Sequence, residues 1–76
     1  MKTVNIDGKD WSYKAGDLWK VEVGKGEKGA YHSRYTLDTP HQAMFYFNGI
    51  NIGRGFKKRL SLVQSGKKVI VAKVTS

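Results

Sequence analysis

The alternation of apolar and polar positions is the first signal in this chain. From Leu18 to Val23, Trp19, Val21 and Val23 alternate with Lys20 and Glu22, the period of two expected of a strand with one buried face. Residues 30–37 answer it, with Tyr31, Tyr35 and Leu37 on one face and His32, Arg34 and Thr36 on the other. The glycine-rich stretch between them makes the pair a hairpin. Met1–Ile6 and Trp11–Tyr13 read as short strands separated by the turn-forming Asp7 and Gly8. Phe56–Val63 and Lys67–Thr75 read as a final hairpin turned by Gln64, Ser65 and Gly66. Val69–Val74 is so nearly continuous in apolar residues that it predicts a central strand covered on both faces.

The pattern changes at Thr39. Thr39 at the N-cap, Pro40 at the first helical position and Gln42 three residues after the cap together spell a helix start. On a 100° wheel Ala43, Met44, Tyr46, Phe47 and Ile50 share one arc, whereas Phe45 points the opposite way as an exposed aromatic. Gly49 and Gly53 are alternative stops. A competing reading pairs residues 45–47 with 50–52 as a hairpin around Asn48 and Gly49, but it leaves the capping residues idle. The fold expected is α+β: one small domain over residues 1–76, an antiparallel sheet of four to five short strands, and one helix between the third and fourth. A minimal OB-type barrel is the alternative.

Composition narrows the chemistry. At 76 residues, with 39% hydrophobic and 12% aromatic residues, the chain supports one packed core. The absence of cysteine removes disulfides, thiolate metal sites and thiol nucleophiles. No apolar run approaches a membrane span and the N-terminal residues lack the apolar stretch of a signal peptide, so a cytoplasmic protein without membrane contact is expected. Two histidines, and no acid after Asp38, leave little with which to build a general acid/base pair or a metal site. The reading is therefore non-enzymatic, with no cofactor and no metal.

Charge gives the positive indication. The net charge is +8, and it is uneven: all six acids lie in residues 1–38, where seven Lys/Arg nearly cancel them. From Thr39 onward Arg54, Lys57, Lys58, Arg59, Lys67, Lys68 and Lys73 stand without one carboxylate side chain. Ordinary surfaces intersperse both signs, so this segment points to a polyanion. On a strand, Lys57 and Arg59 share a face about 7 Å apart and would point outward together, near the phosphate spacing of one strand of a duplex. The bland counterpart is an edge strand charged against aggregation.

Other motifs are weaker. Gly24, Gly26 and Gly29 spell G-x-G-x-x-G, but between two antiparallel strands the run reads as a hairpin tip whose Lys25 and Lys28 can touch a phosphate backbone. Arg34 and His32 share the expected solvent face near Lys20, where Arg34 either contacts a base or pairs with Glu22. Trp11, Trp19, Tyr35 and Phe47 read as core, leaving Tyr13, Tyr31, Phe45 and Phe56 as stacking candidates.

The stretch from Tyr35 to Asn48, with Thr36, Asp38, Thr39, Ala43 and Tyr46, resembles the strand-to-helix junction of the AP2/integrase-type DNA-binding domain, where "T-F-D-T-x-x-x-A-x-x-A-Y" is typical. The resemblance covers about residues 10–50. It implies a three-stranded sheet entering the major groove, with Lys20, Glu22, His32 and Arg34 on the groove-facing surface and the helix packed behind.

Taken together, the expected function is nucleic-acid binding, DNA favoured over RNA, through Lys20, His32, Arg34, Arg54, Lys57, Lys58, Arg59, Lys67 and Lys68. The alternative is a small inhibitor or accessory factor that docks on an acidic protein surface, anchored by Phe45. A homodimer through a strand edge is left open.

Overall fold

A computed structural model describes residues 1–76. Six strands and one helix follow one another as β1 (Lys2–Ile6), β2 (Lys9–Tyr13), β3 (Leu18–Lys25), β4 (Tyr31–Leu37), α1 (Pro40–Gly49), β5 (Phe56–Gln64) and β6 (Lys67–Thr75). β1 and β2 form a two-stranded antiparallel sheet of their own, and the other four form an open antiparallel sheet in the order β4-β3-β5-β6. The domain is α+β, as the periodicities predicted. The helix, however, falls between the fourth and fifth strands, and the strands divide into two sheets.

Local chemistry explains the elements. Asp7 and Gly8 (φ 53° and 82°), like Ser65 and Gly66 (φ 50° and 79°), are consecutive left-handed residues, the signature of two-residue turns whose twist matches the strands they join. Thr39 Oγ1 accepts a hydrogen bond from the Gln42 amide at 3.3 Å, while the Gln42 side chain makes no return bond to the cap. The helix stops at Gly49, with Ile50 extended behind it, so residues 45–52 are not a hairpin. Phe45 stands 75% exposed, as the wheel predicted.

The core lies on one face of the four-stranded sheet. Trp19 and Val21 of β3 face Leu62 and Leu60 of β5, all essentially inaccessible, and Ala43 and Phe47 of α1 close over them. Each such side chain contributes roughly 1.5–3 kcal/mol by leaving water. α1 packs across β3, β4 and β5. The β1-β2 hairpin adds Ile6 to the core and sets Tyr13 edge-on to Trp19, centroids 5.7 Å apart, while Gln64 Nε2 donates to Ser12 O at 2.9 Å.

Two irregularities change what the alternation implied. A bulge opposite Val21 and Glu22 pairs Tyr35 with Val21 but Ser33 with Glu22. One extra residue exchanges the faces of everything beyond it. Tyr31 therefore leaves the face of Tyr35 and Leu37 and joins the open face of the sheet, while His32, paired with Val23, goes to the helix side. Second, β6 is an edge strand and not a central one: Val69, Ile70 and Val74 are each about 40% exposed. The central positions belong to β3 and to β5, which carries Lys57, Lys58 and Arg59 in succession.

Candidate nucleic-acid interface

The open face of the sheet is organised around one carboxylate. Glu22 is only 4% exposed, and its Oε1 accepts from Arg59 Nε at 2.9 Å and from Ser61 Oγ at 2.8 Å, while Oε2 accepts from Lys68 Nζ at 2.9 Å. Burial pushes its carboxyl up, but these three donors outweigh burial and bring it down from 4.5 to about 2. The Arg59 guanidinium also lies 3.9 Å from the Tyr31 ring centroid. β3, at the centre of the sheet, places Glu22 directly beside Arg59 in register.

The adjacent lysines are equally committed. Lys57 is 6% exposed, with Nζ 4.5 Å from the Tyr31 ring centroid and donating to Glu27 O at 3.0 Å, so it ties β5 to the β3-β4 hairpin tip. Lys58 is 7% exposed on the helix side of the sheet, where Nζ donates to Phe47 O and, at 3.0 Å, to Ile50 O. It supplies the cation that the last turn of α1 lacks. A central strand has neighbours on both edges, and the hairpin tip reaches Lys57 on one face while the helix end reaches Lys58 on the other, which is why these side chains are covered. The expectation that Lys57 and Arg59 point outward together, with Lys58 adding to the basic surface, is corrected accordingly, and Lys68 is held with Arg59 on Glu22.

The remaining predicted residues are divided between regions. Lys20 is half-buried on the open face, in register with Ser61, and Lys67 is exposed at the start of β6. His32 and Arg34 do not share Lys20's face; the β4 bulge turns both toward the helix side, where Arg34 lines a cavity with Val23 and Ile50. Phe45 sits edge-on to Tyr46 at 5.7 Å, and Tyr46 stacks on Tyr35 at 4.5 Å.

Two of the predicted cations, Arg34 and Arg54, gather with the predicted His32 and two lysines of the hairpin tip at one end of the molecule. The Gly26 amide donates to Gly55 O at 2.7 Å and locks the β3-β4 tip to the loop before β5. Lys25 and Arg54 flank that bond in the chain, Lys28 lies on the same tip, and His32 and Arg34 follow on β4. All five are exposed, and the molecule's two ion pairs are both on Glu22, so none of the four lysines and arginines among them is paired with a carboxylate. The glycines make this tip possible: Gly26 is left-handed (φ 71°), and a Cβ on Gly29 would stand 1.9 Å from Lys25 O. Phe56, 42% exposed, closes the group, with Lys25 Nζ 5.9 Å from its ring centroid.

Elsewhere the chemistry is structural. Asp17 accepts from Gln64 Nε2 at 2.8 Å and the Lys14 amide at 2.9 Å, which lower its pKa against the opposing effect of burial. No three His, Asp or Glu side chains gather to hold a metal, and no helix is long and apolar enough to cross a membrane. Comparison with protein families, with curated proteins and with solved structures finds no match to the chain.

Proposed function

We propose that the protein is a non-enzymatic nucleic-acid-binding domain that grips phosphates through the cationic end formed by Lys25, Lys28, His32, Arg34 and Arg54. The observation that carries the reading is the Gly26–Gly55 hydrogen bond, which holds cations from two distant segments together where no carboxylate pairs with them. Unpaired exposed cations attract a phosphate polymer by releasing its counterions, a contribution independent of sequence. The choice of DNA as the first polymer follows from the resemblance of residues 10–50 to a DNA-binding domain.

The test is fluorescence anisotropy of a labelled oligonucleotide across a salt series. With four lysine and arginine contacts, log affinity is expected to fall with log salt at a slope of about −3, and Lys25→Ala with Arg54→Ala together should roughly halve it. Absence of binding at ~0.05 M salt would remove the proposal. A second reading is favoured by exposed Phe45 and Tyr46, backed by half-buried Tyr35, as an aromatic anchor for an acidic protein partner. Under that reading Phe45→Ala abolishes partner binding and the oligonucleotide is not retained.

A further inference from the structure

We infer that the polymer is engaged as a single strand, with the Phe56 ring inserted between two successive unpaired bases. The inference rests on the nucleic-acid reading above. Two clefts adjoin at the cationic end, and Val23 and Phe56 line both. One, of about 340 Å³, is lined by Ile50, Ile52 and Arg34 among others; the other, of about 270 Å³, is lined by Ala30, Lys25 and His32 among others.

The chemistry of these clefts matches a nucleobase better than a phosphate. A base has a flat apolar face and a polar rim, and it binds by stacking on an aromatic ring while its phosphate meets a cation nearby. Phe56 is a large apolar side chain left 42% exposed at the start of a strand, beside Gly53, where a Cβ would already reach 3.6 Å from the ring. Each cleft is thus lined by apolar side chains including Val23, by the Phe56 ring and by one cationic side chain, Arg34 or Lys25. Bases in a duplex have both faces covered by their neighbours and cannot enter. A polymer held only by phosphates would need the cations but not the clefts.

The experiment compares three labelled probes of about ten nucleotides at ~0.1 M salt: a single strand, the corresponding duplex, and an abasic strand carrying the same phosphates. The single strand is expected to bind about tenfold or more tighter than the other two. Phe56→Leu should bring it down to the abasic level while leaving duplex and abasic affinities unchanged. Equal affinities for all three probes would overturn the inference and leave the phosphate-binding proposal standing. Failure to bind any of the three would overturn both. The comparison of probes on the wild-type chain decides the question even where Phe56→Leu does not fold.

Discussion

Replacing Glu22 by glutamine isolates the energetics of the open face. The carboxyl falls from 4.5 to about 2 on folding, a difference of ~2.5 pKa units, or ~3 kcal/mol at 1.36 kcal/mol per unit. Because Arg59 and Lys68 keep 22% and 39% of their side-chain surface in water, screening reduces this to about 2 kcal/mol. The sign follows from the depressed folded value: the stabilisation is complete above the unfolded value near 4.5 and is lost as pH falls toward 2. More than half should be gone by pH 3. Urea unfolding at pH 6 and pH 3, followed by the emission of Trp11 and Trp19, measures it in wild type and Glu22→Gln. The variant is expected to be about 2 kcal/mol weaker at pH 6 and to approach wild type at pH 3. A gap between the two proteins that stays constant with pH would refute the reasoning.

Two further substitutions test the helix ends. Lys58→Met keeps the side chain's bulk but removes the donor to Phe47 O and Ile50 O, and should cost about 1–3 kcal/mol in chemical denaturation; an unchanged midpoint would show that those carbonyls find other partners. Thr39→Ala removes the acceptor for the Gln42 amide and should cost ~1 kcal/mol, read as a lower thermal midpoint by circular dichroism.

What was legible in the chain was local. The strands followed from a period of two, the helix from Thr39 and Pro40, and the two tight turns from Asp7, Gly8, Ser65 and Gly66, because neighbouring residues alone decide them. What was not legible was the order of strands and one extra residue in β4. Charge counted along the sequence placed seven cations outside, yet β5 took an inner place in the sheet, where Lys57 was covered by the hairpin tip on one face and Lys58 by the helix end on the other, and Arg59 and Lys68 closed on a carboxylate 37 and 46 residues away. Glu22 carried the available hint. An acid midway along an alternating strand needs a counterion, and the cations of the last hairpin were the unpartnered supply. The bulge then moved His32 and Arg34 off Lys20's face. Lys25 and Lys28, paired on the hairpin tip by the sequence, and Phe56, named apart from them, acquired a common location only when the Gly26–Gly55 bond joined their loops.

The marginal position of β6 has a consequence for how freely this sequence can change. Its apolar residues would suit a strand flanked on both sides, so its free border is a template that another extended chain could copy. Lys67 and Lys73, exposed along it, oppose that copying by mutual repulsion between molecules. Solubility and attraction for polyanions thus draw on one reserve of positive charge, and drift toward neutrality would weaken both together.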